Sequence, residues 1–477
     1  MRISVSKYKK TFISAGIIAL FILLFSFVTY QNKANVSASV LAQEQKLSGG
    51  ATTVFDQSVN AFALPAPDLS SQDELLFFVG NSFFNQNWVQ APSSTTARDG
   101  LGPYFNTKSC SGCHFKDGRG QPPVIAGQLS QGFIVRLSIP GKGPHGEPLE
   151  EPNYGGQFQE HAIDGIKREG GFEIIWEEIV GSYPDGNSYS LRKPKINFTE
   201  LNYGAMHNDV MLSGRVAPQM IGLGLLEAIP ETTILSFADA EDKNNDGISG
   251  RPNYVWNSIE HKMQLGKFGW KSNQPTILQQ ISGAFNGDIG ITTQYFPEHG
   301  ITSAQLQNRE IPNGGEPEID NDDLKKLHLY SATLAVPARR NVSDKEVIKG
   351  EKIFVEIGCN NCHIEKIQTA IHPDFDVLSN QTIRPYTDLL LHDMGAGLAD
   401  NRPDFDAGGQ EWRTPPLWGI GLFQTVNKHT FYLHDGRARN LSEAILWHGG
   451  EAENSKNEFM QLTEKQRRQL LLFLGTL

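Results

Sequence analysis

Polar and apolar positions along the chain mark out a small set of elements. Ser71-Gln72-Asp73-Glu74 sets a hydroxyl three residues ahead of a carboxylate, and Leu75-Leu76-Phe77-Phe78 follows. This capping box predicts a helix from about Asp73 toward Phe84. Phe133 to Ile139 and Phe172 to Trp176 are short β-rich runs and predict strands. Met220 to Ile229 is almost wholly apolar and predicts a buried helix. Ser343-Asp344-Lys345-Glu346 is a second capping box, opening a helix through Val347, Phe354 and Ile357. Thr463-Glu464-Lys465-Gln466 is a third, and helical spacing puts Leu470, Leu471, Phe473 and Leu474 on one face. Thr276 to Asn308 is mixed and predicts no element. Glu316 to Asp323 is an acidic run expected to be solvated.

Two stretches break this pattern. Arg2, Lys7, Lys9 and Lys10 precede an apolar run from Phe12 to Tyr30, close to the roughly 20 residues that span a bilayer. Residues 1–30 therefore read as a signal anchor, or as a cleavable signal peptide ending near Val36-Ser37-Ala38. Either implies export to a bacterial periplasm, the first with anchoring in the inner membrane. Residues 31–70 are polar and small, a linker. Leu334 to Arg340 looks like a passage between domains, which gives 71–340 and 341–477 as the two folded parts. At 477 residues, 39% hydrophobic and 20% charged, the chain is a globular protein of more than one ordinary domain. A formal net charge of -11 argues against nucleic acid.

The four cysteines fall into two copies of one motif, Cys110-Ser111-Gly112-Cys113-His114 and Cys359-Asn360-Asn361-Cys362-His363. Two thiols at i and i+3 with a histidine directly after them are what covalent attachment of a c-type haem requires. The thiols add to the vinyl groups and the histidine stands under the iron. A zinc site would have to draw on two distant pairs, and a redox dithiol needs no histidine. The expected cofactors are two covalently bound haem c groups, with His114 and His363 as proximal ligands.

For the sixth position of the second haem the candidates are His392, Met394, His434 and His448. Asp242, Asn244, Asp246 and the carbonyl of Ile248 have the spacing of the first half of a calcium loop. Asn253 stands where the bidentate glutamate belongs, so a plain Asx turn is the competing reading. Glu227, in its apolar run, reads either as a distal acid of raised pKa or as a helix-end residue. Arg437 and Arg439 are candidates for pairing with haem propionates, or form a solvated pair.

Thr414-Pro415-Pro416-Leu417, Phe431-Tyr432-Leu433-His434-Asp435-Gly436 and Leu441-Ser442-Glu443-Ala444-Ile445 resemble the bacterial dihaem cytochrome c peroxidases and the methylamine-utilisation dihaem enzymes. The closer resemblance is to the dihaem oxidoreductase family, sometimes labelled thiol oxidoreductases. It runs through Gly214 to Ile229, Asp246 to Asn253, Phe268-Gly269-Trp270-Lys271 and Ile383 to Asn401. The resemblance implies His448 as sixth ligand of the second haem, opposite His363. It implies His207, ahead of Arg215-Val216-Ala217-Pro218, as a displaceable ligand of the first, with Met206 and Met211 as rivals. The tryptophan that bridges the two haems of the peroxidases, and their distal glutamine and glutamate, have no clear counterpart here.

The expected fold is mainly α: two cytochrome c-like domains, the first with irregular and β-rich insertions. The expected function is that of a peroxidase-like oxidoreductase. Its second haem takes electrons from a soluble donor protein or small redox carrier, and its first reacts with an oxidant such as hydrogen peroxide. The alternatives are a non-catalytic dihaem electron carrier, and an enzyme in which the cysteines themselves turn over.

Overall fold

The capping signals place helices within a residue of where they form. The N-cap of helix Ser71–Asn85 is Ser70, whose side chain accepts from the Asp73 N–H. Asp344 caps helix Lys345–Glu356, and Thr463 forms a complete capping box with Gln466 ahead of helix Glu464–Leu474. The structure, a computed structural model, describes residues 42–477 apart from 126, 129 and 307–310. Met1–Leu47 is one unit, of whose described residues 42–46 are helical; Ser48–Leu477 is the other.

Within Ser48–Leu477 two helix pairs stand behind the two cysteine motifs. Ser71–Asn85, which leads to Cys110, packs on Asn321–Thr333, and Lys345–Glu356, which leads to Cys359, packs on Glu464–Leu474. A glycine sits at each crossing. A β-carbon on Gly80 would stand 2.3 Å from the Lys326 carbonyl oxygen, and one on Gly350 would stand 2.0 Å from that of Gln469. Any side chain there would force the helices apart.

The mainly-α expectation does not hold. Helix accounts for about 30% of the structure and strand for 20%, in many small sheets. The material between the motifs is largely extended. Strand Phe133–Lys142 pairs antiparallel with Met211–Val216, with Val135 opposite Gly214, and also with Gln157–Phe158. Gly170–Ser182 and Ser188–Leu201 form one long hairpin. The hairpin is strapped to the C-terminal part of the chain. Arg192 donates to the carbonyls of Arg437 and Gly436, Arg439 pairs with Glu178, and Arg467 pairs with Asp185. The buried helix expected over Met220 to Ile229 forms only at Leu223–Glu227, although Ile221, Leu225, Leu226 and Ile229 are buried as its pattern requires. In the acidic run, Glu318 turns inward to accept from Thr292 and from the Gly314 N–H.

The inner-membrane anchor is not upheld. Among the described residues no helix is long and apolar enough to cross a membrane. Phe12 to Tyr30, the segment from which the anchor and the periplasmic placement were read, lies outside the described residues.

Charged groups meet in the interior. Asp404, 3% exposed at its side chain, accepts from Arg215 at 3.1 Å and from Arg402 at 3.0 Å. Burial acts to raise its pKa, but Arg402, Arg215, Arg136 and Lys271 hold it at about 2. Lys271 is wholly buried and donates to Asp400 and to the carbonyls of Arg402 and Gly408. Removing one member leaves its partners charged and unpaired. Asp404→Ala should therefore cost about 3–5 kcal/mol of folding stability in urea denaturation. A loss under about 1 kcal/mol would mean that water replaces the carboxylate.

Candidate functional site

Each cysteine motif opens onto a cavity. The first, of about 450 Å³, is bordered by Cys110, Cys113 and His114; the second, of about 200 Å³, by Cys359, Cys362, His363 and His448. The chain brings them wall to wall. Gln219, Trp270, Arg413, Pro415 and Pro416 border both. Trp270 is fixed there by its indole N–H, which donates to the Val216 carbonyl at 2.8 Å, with the Arg119 guanidinium 5.0 Å from its ring. The sequence offered no counterpart to a bridging tryptophan, because nothing in the Phe268-Gly269-Trp270 stretch tells that its side chain separates two cavities.

Three histidines share one arrangement. His114 Nδ1 meets the Pro218 carbonyl at 2.7 Å, His363 Nδ1 the Tyr386 carbonyl at 2.8 Å, and His448 Nδ1 the Ala444 carbonyl at 2.8 Å. A carbonyl only accepts, so each Nδ1 carries the proton and each Nε2 keeps its lone pair. Burial also lowers the pKa of all three, that of His363 to about 4. Neutral imidazoles with a bare Nε2 and a fixed tautomer are the donors that iron takes.

Of the other candidates at the second cavity, His392 is occupied. His392 Nε2 lies 2.8 Å from Asp388 and its Nδ1 2.6 Å from Glu451. Burial acts against its charge, yet bonds to Asp388, the Cys362 sulfur and Glu451 raise its pKa well above the ordinary value. Cys362, Asp388 and His392 bring ligand atoms within 4.8 Å of one another, but a doubly hydrogen-bonded imidazolium has no lone pair for zinc. His434 lies flat on Trp412, 3.6 Å between ring centroids. Met394 lines the cavity.

His207 is exposed, its Nδ1 accepts the N–H of Asp209, and it is not among the residues that line the first cavity. The structure does not bring it to His114. That cavity is walled instead by groups which sequence reasoning missed. Gln157 Nε2 donates to Asp288 Oδ1 at 2.8 Å, and the Gln159 N–H donates to Glu169 at 2.6 Å. Burial pushes both carboxyls up, Glu169 well above its ordinary value and Asp288 less, since Gln157 and Arg136 oppose it. Their signal is not legible, because Gln157 and Gln159 come from the extended region and Asp288 from the π-helical segment Phe285–Ile289 after helix Ile277–Ala284.

Glu227 lies outside both cavities, between His328 and His372, whose Nε2 atoms are 3.9 Å and 3.3 Å from its carboxylate. Burial acts to raise its pKa, but the nearby His328 and His372 and a hydrogen bond from the Ile277 N–H bring it down to about 2. It is an ionised structural group, not an acid of raised pKa. Unfolded, it titrates near ~4.3. Its folded pKa is the lower one, so its stabilisation is complete above that range and is lost as pH falls from about 4 to about 2. Glu227→Gln should remove that slope from acid unfolding and cost about 3 kcal/mol at pH 7. Acid unfolding curves of equal steepness in the two proteins would contradict it.

In the Asp242 loop the side-chain oxygens serve the loop itself. Asp242 Oδ1 accepts from Asp246 and Gly247, Asn244 Oδ1 from Asp246, and Asp246 Oδ1 from Ile248, while Asn253 turns inward to Lys271 and Asp404. Arg437 is held by Asp435 and the Gly397 carbonyl, and Arg439 by Glu443, Glu178 and Ser190.

The residues fit a haem in each cavity. Among the described residues two buried guanidinium nitrogens at the walls have no hydrogen-bond partner, Nε of Arg136 at the first and Nε of Arg119 at the second. Such N–H groups suit the carboxylates of a propionate. Burial raises the thiol pKa of Cys110 and Cys359 to about 12 and that of Cys113 further. Thiols so placed hold little thiolate, against turnover at the cysteines.

No curated protein matches the chain. Residues 42–139 and 145–477 match the sequence profile of a family described as "Di-haem oxidoreductase, putative peroxidase". With both cavities, their histidines and nearly the whole chain inside that match, the protein belongs to the di-haem oxidoreductase family.

Proposed function

We propose that the protein reduces a hydroperoxide at its first cavity with electrons delivered through its second. Cys110 and Cys113, and Cys359 and Cys362, hold the two haems covalently in this reading, and a soluble donor protein or small carrier supplies the electrons. The haems would supply one-electron storage at the second site and peroxide reduction at the first.

The observation that carries the reading is the difference between the cavities. The second sets two histidines whose Nδ1 is held by a carbonyl, His363 and His448, on one space of about 200 Å³. The first is more than twice as large, with His114 as the histidine of its cysteine motif. His299, the other histidine at its wall, sets Nδ1 toward the Gly290 carbonyl at 3.1 Å and Nε2 3.8 Å from Glu318. Met220 follows Pro218, whose carbonyl holds His114, and so belongs to the same wall. Room and polar groups together make the first cavity the place where a substrate enters.

The residues there bind and move protons. Asp288 takes a proton from the near oxygen of the peroxide and returns it to the departing one, with Gln157 holding its carboxyl in place. Trp270, in the common wall, carries electrons between the cavities.

Optical and EPR spectra of the haem-loaded protein test this, taken oxidised, half-reduced and then with hydrogen peroxide. A high-spin signal on half-reduction that shifts with peroxide is expected. Two low-spin irons in every state, indifferent to peroxide, would leave an electron carrier instead.

A further inference from the structure

Helix Ser71–Asn85 carries Phe77, Gly80 and Phe84 at i, i+3 and i+7, on one face. That face meets helix Asn321–Thr333 so closely that a β-carbon on Gly80 would lie 2.7 Å from Cβ of Tyr330. Tyr330 is fully buried there. Its ring centroid lies 4.7 Å from that of Phe77 and 5.2 Å from that of Phe84. Phe84 lines the first cavity, its ring 6.3 Å from the imidazole of His114. On the other side Phe77 meets Phe78 at 5.6 Å, and Phe78 is 54% exposed. A row of rings therefore runs from the proximal histidine to the surface, with one phenol in it.

The phenol has a specific partner. Its hydroxyl donates to Asp117 Oδ1 at 2.5 Å. Asp117 is buried and anchored at its backbone, where its N–H donates to the His114 carbonyl and its carbonyl accepts from Met220. A phenylalanine at 330 would fill this slot without requiring a buried carboxylate, which is costly to desolvate. A phenol that loses one electron becomes a strong acid, so its oxidation needs a proton acceptor within hydrogen-bond reach. Asp117 is one.

We propose that Tyr330 is a redox-active side chain that gives one electron to the first haem site, its hydroxyl proton passing to Asp117. The proposal rests on the peroxidase reading and extends it. Reduction of a hydroperoxide, ROOH + 2e⁻ + 2H⁺ → ROH + H₂O, takes two electrons. One arrives from the second site past Trp270. The other leaves Tyr330 by way of Phe84 and His114, the O–H bond breaks, and the proton moves to the Asp117 carboxylate. A neutral tyrosyl radical remains. One further electron from the donor, with the proton held on Asp117, restores the phenol. Tyr330 thus lets the second electron act before the donor has returned.

The test is EPR on the haem-loaded full chain at pH 8, made with ring-deuterated tyrosine, mixed with one equivalent of hydrogen peroxide and frozen within milliseconds. A tyrosyl signal that narrows on deuteration, is lost in Tyr330→Phe, and changes its g-values in Asp117→Asn is expected. Tyr189→Phe, on the hairpin, should leave it intact. The same signal surviving in Tyr330→Phe, or no tyrosyl signal from the wild type under either oxidant, overturns the proposal. The second oxidant is the azide radical, generated by pulse radiolysis, which removes single electrons from aromatic side chains without peroxide. A Tyr330-dependent radical with azide and none with peroxide would uphold the side chain's redox role and fail the peroxidase reading.

Discussion

Replacing His448 by methionine should raise the midpoint potential of the second haem by roughly 0.2 V, within the ~0.8 V that axial ligands command, and leave the first unchanged. His448 stands two residues past helix Leu441–Leu446, which Asn440 caps by accepting the Glu443 N–H. That cap fixes the helix end and so the side chain. Its Nδ1–H donates to Ala444, one turn back, and its Nε2 faces the cavity that His363 also borders. A thioether is a softer and weaker donor than imidazole and favours the reduced iron. Among the rivals, both nitrogens of His392 are engaged by carboxylates, and the face of His434 is pressed on Trp412. Optically followed redox titration of wild type and variant decides the matter. Two unchanged potentials would remove His448 from the iron and pass the assignment to Met394 or His434, by the same substitution test.

What could be read from the sequence was what depends on near neighbours. The cysteine motifs need only five consecutive residues. The three principal capping signals need four, and two of them slipped by one position because Ser70 and Asp344 compete with the residues beside them for the same N–H groups. One helix start was legible and passed over. Asp320 accepts the Asp323 N–H and opens helix Asn321–Thr333, yet its acidic first turn resembles a solvated charge run. The resemblance of the C-terminal stretch led to His448, which the structure sets at the second cavity in a ligand-like state.

What could not be read depends on long-range pairing. The hairpin partner Ser188–Leu201 alternates too irregularly to announce itself, and only its mate shows, as the β-rich run Phe172 to Trp176. Cavity walls are assembled from segments more than a hundred residues apart. Gln157 reaches Asp288 across 131 positions, and Arg215 reaches Asp404 across 189. A lone glutamate in an apolar run, Glu227, looks more like an acid than any of the carboxyls that line the cavity. Nothing local tells that His328 and His372 converge on it.

Asp288→Asn should lower hydroperoxide turnover by about 10²- to 10⁴-fold, the range for loss of a placed general acid–base. An ordinary aspartate titrates near ~3.9 and is a weak base toward a peroxide proton. Burial raises Asp288, so both of its forms are within reach closer to neutrality. The asparagine keeps the shape and the contact to Gln157 but cannot exchange a proton. The loss should therefore fall on kcat, with KM little changed. The pH profile adds a sign. Wild-type turnover should decline on the acid side as Asp288 becomes protonated and can no longer take the peroxide proton, and the variant should lose that limb. Glu169, bonded to the Gln159 N–H and to Gln305, is the control, because its two oxygens are already engaged. If Glu169→Gln abolishes the acid limb while Asp288→Asn preserves it, the proton travels by the second carboxyl and the assignment of roles within the cavity reverses. If neither variant changes the profile, protons reach the peroxide by water alone, and the polar wall of the first cavity serves binding and not chemistry.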